Sequence, residues 1–263
     1  MEKSAVFFDI DGTIIDGYSY VPQSTYTAIA SLRKNGHLAF ICSGRSLAFL
    51  QNPMITSIDF DGIVASCGAY VEVNNHIIFQ HLIDPKTALW TVDTVREAGF
   101  RPILEGPNAL YLDKSFGPGD PYGDRLRLDT SCNLLDLDEY YNNWTINKLS
   151  CATEVPSEIR NSCFQTLSTY YDFMIHNDFV VEMIPKNIDK GSGMKLVCDY
   201  LNIPIERTYA FGDSVNDIGM IRTAACGIVM GNGQDEAKKH ADYITAPLKE
   251  DGILKALTHF GLI

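Results

Sequence analysis

The chain has 263 residues, 46% of them hydrophobic, and a formal net charge of −12. That length builds one large or two moderate domains with true hydrophobic cores. The negative charge argues against a nucleic-acid partner, and no run approaches the ~18 apolar residues of a membrane helix.

Ala5-Val6-Phe7-Phe8 reads as a fully buried parallel strand that runs into Asp9 and Asp11, with Gly12 turning the backbone away. Residues i and i+2 of a strand share a face, so the two carboxylates are expected side by side. Their pKa values would be pushed apart, giving a nucleophile beside a general acid. Taken alone, the pattern fits an ordinary Asp/Gly turn equally well. After a turn-rich segment at 16–20, Pro22 opens a helical pattern closed by Asn35-Gly36. Residues 37–42 predict a second strand ending in Ser43-Gly44-Arg45, and a third follows near 63–66. Residues 70–73 and 76–79 form a predicted hairpin across Asn74-Asn75. This rhythm of strand and helix implies a parallel sheet.

From about Asp84 the pattern changes. A helix is expected over 85–98, then short strands at 101–105, 109–112 and 145–150, with a loose Gly/Pro-rich stretch over 116–123. Another helix is expected over 157–169, and two facing strands, 172–176 and 179–184, flank Asn177-Asp178. The mixture predicts a separate α+β unit inserted into an α/β domain. The domains are therefore drawn as 1–83 with 187–263 for a Rossmann-like parallel-sheet core, and 84–186 for the inserted α+β unit. The α/β rhythm resumes with a helix over 193–201, a strand over 208–211, a helix from Val215, a strand over 227–230 and a closing helix over 252–260.

In the resumed part, Tyr209-Ala210-Phe211-Gly212 runs into Asp213, and Asp217 stands four residues later. If a helix starts between them, both acids project toward the edge that carries Asp9 and Asp11. An N-cap with a solvated helix start is the plain alternative for this segment by itself. Four acids at adjacent strand ends repel unless a hard divalent cation holds them, and Mg²⁺ suits carboxylates plus a substrate phosphate best. The seven cysteines are odd in number, widely spaced and never in a C-x-x-C pair. They predict buried reduced thiols, and with an N-terminus lacking a signal-peptide pattern they point to the cytoplasm.

These residues together resemble the haloacid dehalogenase superfamily of phosphohydrolases over essentially the whole chain. The motifs stand in order: Asp9-Ile10-Asp11-Gly12-Thr13, Ser43-Gly44-Arg45, Lys190 within Asp189-Lys190-Gly191, and Gly212-Asp213-Ser214-Val215-Asn216-Asp217. The insertion resembles the large α/β cap of the Cof-type sugar phosphatase branch. One departure is Cys67-Gly68-Ala69, where relatives usually carry Asn-Gly-Ala.

The resemblance implies a phosphatase of small phosphorylated metabolites, with sugar phosphates the leading substrates. Asp9 would attack phosphorus and Asp11 would act as acid and then base. Mg²⁺ would be held by Asp9, the Asp11 carbonyl and Asp213, with Asp217 positioning metal-bound water. Ser43, Gly44, Lys190 and Asn216 would bind the phosphoryl group. By themselves, Ser43-Gly44 reads as a strand-to-helix cap and Lys190 as a solvated helix-start lysine. In the inserted unit, Asp124, Arg125 and Lys148 are polar candidates for contact with the leaving group, and Arg45 fits either substrate contact or an acid bridge. A dehalogenase would not need an acid at position 11. A phosphomutase on the same scaffold and a non-catalytic phospho-switch are the competing functions.

Overall fold

The computed structural model describes residues 2–17, 20–129, 133–176 and 179–263. The expected turn at Asn177-Asp178, part of the 16–20 turn and Cys132 lie outside these residues. The chain divides into two compact units.

The first unit comprises Met1–Gly44, Pro53–Phe79 and Asp189–Ile263. Its strands are β1 (Ala5–Phe8), β2 (Leu38–Cys42), β3 (Gly62–Ala65), β4 (Tyr70–Val73) and β5 (His76–Gln80). After the insertion, whose strands take the intervening numbers, come β12 (Thr208–Gly212), β13 (Cys226–Val229) and β14 (Tyr243–Ile244). The sheet order is β14-β13-β12-β1-β2-β3-β4-β5. The strands from β14 to β3 run parallel, and β4 turns back antiparallel on β3. Asn74 and Asn75 both have positive φ, 50° and 63°, the geometry of a primed hairpin turn.

β1 lies between β12 and β2, and all four of its side chains are buried. Such a central strand reads as one apolar run because both faces are covered. Register pairs Phe8 with Phe211 and with Ile41, so the residues after β1, β2 and β12 leave the sheet at one edge. One face packs Phe7, Phe40, Val64 and Ala210 against Met194, Val197 and Cys198 of the Lys190–Leu201 helix. That helix starts three residues before the expected 193. A capping box between Asp189 and Ser192 initiates it despite two glycines in its first turn, and close packing requires them. A Cβ on Gly191 would lie 2.6 Å from the Gly219 carbonyl oxygen.

The second unit comprises Arg45–Asn52 and Gln80–Ile188. It begins four residues before the expected 84 and takes in the segment after Gly44, which sequence periodicity had no means of assigning to it. Its strands are β6 (Pro102–Glu105), β7 (Ala109–Leu112), β8 (Asn133–Asp136), β9 (Lys148–Ala152), β10 (Tyr171–Ile175) and β11 (Val180–Pro185), in the order β10-β11-β9-β6-β7-β8. All pairings are antiparallel except β7 with β8. One face carries Leu104, Tyr111, Leu149, Cys151 and Met183 into a core with the Pro85–Glu97 and Ser157–Leu167 helices. The strand expected over 145–150 is β9, the fourth of this unit, since β8 was not expected; it starts at 148, and just before it Asn147 turns its side chain to the His81 carbonyl at 2.7 Å. The stretch read as a loose loop ends in a helix, Pro121–Asp129, with Pro at its first position.

No helix among the described residues is long and apolar enough to cross a membrane. No disulfide joins the six described cysteines.

Candidate active site

Two parallel strands, β1 and β12, deliver the acids. Asp9 follows β1, and its backbone N–H donates to the Phe211 carbonyl at 2.9 Å, locking it beside β12. Asp213 follows β12. Asp217 closes the short 3-10 turn Val215–Asp217, which leads into the Ile218–Thr223 helix. The N–H groups of Asp213 and Ser214 donate to Asp217 Oδ2 at 2.9 and 3.0 Å, a helix-start anion arrangement. Gly212 is required here: a Cβ would fall 2.5 Å from the Asp217 side chain.

Oxygens of Asp9, Asp213 and Asp217 all lie within 4.8 Å of one another. Lys190 stands between two of them, its Nζ 2.6 Å from both Asp9 Oδ1 and Asp217 Oδ1. Asp9 is 4% and Lys190 1% exposed. Burial, then Asp217, drives the Asp9 carboxyl well above the ordinary carboxylate range, with Lys190 opposing. Burial by itself would lower the Lys190 pKa, but Asp217 and Asp9 reverse this, so the ammonium is held firmly charged. Asp213 is pushed up to about 7, first by burial and then by Asp217. Its Oδ1 is buried with no hydrogen-bond partner. A buried, unbonded carboxylate oxygen beside two more carboxylates fits a hard divalent cation, whose charge would replace the missing partner.

Asp11 corrects the strand-based expectation. β1 ends at Phe8, so Asp9 and Asp11 do not share a strand face. Asp11 is exposed at the surface of a tight turn while Asp9 is buried. The three-acid group contains Asp9, Asp213 and Asp217 and leaves the Asp11 side chain outside it; the main electrostatic neighbour of Asp9 is Asp217. Gly12, at φ +80°, makes the turn, and a Cβ there would meet Asp213 Oδ2 at 2.3 Å.

Ser43 and Gly44 are buried just beyond β2, and Ser43 N–H is tied to the Val64 carbonyl at 2.8 Å. Asn216 Oδ1 accepts from Ser214 Oγ at 2.8 Å and from Lys190 at 3.3 Å, which leaves its NH₂ as the end able to donate. Cys67, at the departure from the resembled motif, has φ 56° and ψ 27°. This is the left-handed region, which Asn tolerates better than most residues. The Cys67 N–H holds the Ser43 carbonyl at 3.0 Å.

The supports of this edge include one residue with no role assigned from sequence. Asn232 donates to the Gly12 carbonyl at 2.8 Å and accepts from Leu248 N–H at 2.7 Å, pinning the turn that carries Asp11. The neighbouring Gln234 N–H donates to the Asp213 carbonyl at 2.7 Å. The Gly231-Asn232-Gly233 spacing after a strand was the available signal.

The three candidates in the second unit differ. Asp124 spends its carboxylate on Gly119 N–H at 3.1 Å and Arg127 at 3.2 Å, a local structural use. Arg125 is exposed on the same helix. Lys148 is 1% exposed and pairs with Glu182 at 2.5 Å and Glu105 at 3.4 Å. Arg45 belongs to this unit, with its guanidinium 4.7 Å over the Phe49 ring.

A family model described as haloacid dehalogenase-like hydrolase matches residues 6–257. YkrA of Bacillus subtilis (strain 168), provisionally named a phosphatase, is 30% identical over 270 residues, covering all of both chains. YitU of the same strain, named a 5-amino-6-(5-phospho-D-ribitylamino)uracil phosphatase, is 26% identical across 97% of this chain and 96% of its own. The solved structure of the HAD subclass IIB sugar phosphatase BT4131 superposes with a TM-score of 0.83 at 26% identity, over 99% of this chain and 100% of its own.

Proposed function

The chain belongs to the haloacid dehalogenase-like hydrolase family, and from that membership we propose a Mg²⁺-dependent phosphatase of small phosphomonoesters, sugar phosphates foremost, acting through an aspartyl-phosphate. The observation that carries the reading is Lys190 bridging Asp9 and Asp217 beside the unbonded Asp213 Oδ1. The relatives are named as phosphatases, which favours hydrolysis over a mutase or a switch.

Asp9 attacks phosphorus: an Oδ–P bond forms while the P–O bond to the alcohol breaks. Asp11, exposed on its turn, hands its proton to the departing oxygen. Asp11 then takes a proton from water as the water oxygen attacks phosphorus and releases Asp9. Lys190 opposes the burial and the Asp217 charge that raise the Asp9 pKa, and its own charge offsets the approach of a carboxylate to a dianion. At ~4 Å and an effective dielectric near 20, each charge pair costs about 4 kcal/mol. Ser43, the Gly44 amide and the Asn216 NH₂ hold phosphoryl oxygens. Asp9, Asp213 and the Asp11 carbonyl, with Asp217 alongside, would hold Mg²⁺, which would supply the remaining positive charge. The second unit selects the substrate, and the protein works in the cytoplasm, in keeping with the absence of disulfides among its described cysteines.

The test is turnover of p-nitrophenyl phosphate by wild type and Asp9→Asn, with Mg²⁺ and with EDTA. Wild type with Mg²⁺ turns over, EDTA stops it, and Asp9→Asn is inactive while retaining its circular dichroism spectrum. Activity in Asp9→Asn, or turnover indifferent to EDTA, rejects the mechanism.

A further inference from the structure

The first unit has a second recess, at the sheet edge opposite to the acids. β2 begins at this edge with Leu38 and ends at Cys42 beside Ser43, and its five residues set the two edges ~13 Å apart at the usual rise per residue. The recess is a cavity of about 710 Å³, lined by the Gln23–Lys34 helix and the 57–61 segment. That volume lies within the range of small-molecule sites, roughly 300–1,000 Å³. All of its lining residues belong to the first unit. Tyr26, Ile29, Ala30, Leu38 and Ile58 make its apolar part.

Its polar groups divide into acids already engaged and donors that are not. Asp61 accepts from Arg33 Nε at 3.1 Å and Nη2 at 3.0 Å, and its Oδ2 also takes the Ala39 N–H at 2.9 Å. Asp59 pairs with the same guanidinium. Lys3 and Lys34 are exposed at this cavity, and neither has a carboxylate partner among the described residues. His37, 4% exposed, accepts the Ser4 N–H on Nδ1 at 3.1 Å, so the neutral ring carries its proton on Nε2. That Nε2 is buried with no hydrogen-bond partner. A buried donor left unpaired costs stability, and one on a residue that lines a cavity points to an acceptor the protein does not itself supply. Lys3, Arg33 and Lys34 set against Asp59 and Asp61 leave one positive charge for a ligand to balance. Arg33, held along its edges by two carboxylates, keeps a flat guanidinium face on which an aromatic ring stacks.

We propose that this cavity is a binding site for a small planar aromatic monocarboxylate, separate from the phosphoryl site and independent of its chemistry. The ring packs on Ile29, Ile58 and the Arg33 guanidinium, and the carboxylate accepts from His37 Nε2–H and the two lysine ammonium groups. A cationic ligand would find the Asp61 oxygens already taken. A phosphate dianion would bring more negative charge than the lining balances and would have no body to fill the apolar part. A neutral amide of the same shape would forgo the charge-assisted bonds, which are the stronger ones.

The experiment titrates the full chain with 2-naphthoate, 2-naphthamide, decahydro-2-naphthoate and inorganic phosphate, followed by calorimetry and by amide chemical shifts. The expected result is saturable binding of 2-naphthoate with Kd below about 1 mM, with the largest shifts at Ala30, Leu38 and Ile58. The amide, the saturated acid and phosphate should each bind at least fivefold more weakly. Ala30→Trp, which fills the cavity from an exposed helix position, should weaken 2-naphthoate at least fivefold, as should Lys3→Ala combined with Lys34→Ala. Should Ala30→Trp melt below the titration temperature, the lysine pair decides alone. A smaller loss in the variants, a comparison ligand that binds within fivefold of 2-naphthoate, or no saturation below about 1 mM overturns the inference and leaves the phosphatase reading standing.

Discussion

Replacing Lys190 by Met would remove the only cation within 2.6 Å of Asp9 and Asp217 among the described residues while keeping the side-chain volume. At an effective dielectric of 20, each 2.6 Å contact carries about 6 kcal/mol of gross attraction, most of it offset by desolvation. What remains after substitution is mutual repulsion. For oxygens within 4.8 Å it amounts to at least about 3.5 kcal/mol for two ionised carboxylates. The expected loss is thus about 3–5 kcal/mol of unfolding free energy, as for a broken buried ion pair. Mg²⁺ at a hundredfold excess over its dissociation constant would return about 2.7 kcal/mol by mass action. Urea unfolding should be followed by circular dichroism, because both tryptophans, Trp90 and Trp144, lie in the second unit and report on it alone. A variant within about 1 kcal/mol of wild type, with no added response to Mg²⁺, would refute the view of this cluster as three acids held by one cation.

Gly12→Ala should lower turnover at least a hundredfold and destabilise the fold by roughly 1–2 kcal/mol, since it combines φ +80° with a Cβ placed on Asp213 Oδ2; kinetics with a urea titration checks this, and near-wild-type activity contradicts the geometry. Asn232→Ala should cost turnover more than stability by releasing the Gly12 carbonyl, whereas a pure packing role would show the reverse. His37 is 4% exposed, accepts the Ser4 N–H on Nδ1 at 3.1 Å and has a pKa lowered by burial. The unfolded chain therefore binds the proton more readily, and stability present above pH ~6.5 is lost as pH falls below it. Melting temperatures from pH 7.5 to 5.5 should fall less steeply in His37→Gln, and equal slopes would dismiss His37 as the cause.

The local signals were strong where one residue type admits one backbone. The apolar run before Asp9, the Asn74-Asn75 turn and the Pro22 to Gly36 helix follow from burial, positive φ and capping, all short-range. The motif acids were legible for the same reason, since each follows an apolar strand. That they gather at one edge was expected as well, and Asp9, Asp213 and Asp217 do; which of them lies closest to Asp9 was not legible. Which carboxylate presses on Asp9 depends on where β1 stops and how β12 lies beside it, and the answer is Asp217, over two hundred residues away in sequence, with Asp11 left outside. The assignment of Arg45–Asn52 to the second unit and the Glu105–Lys148–Glu182 array likewise arise from sheet register and packing between distant segments. Sequence by itself determined the elements and the reactive residue types, because propensity, patterning and turn chemistry act over a few neighbours. Only the tertiary structure decided which charges meet, because a buried charge takes its partner from whatever the strand order sets against it.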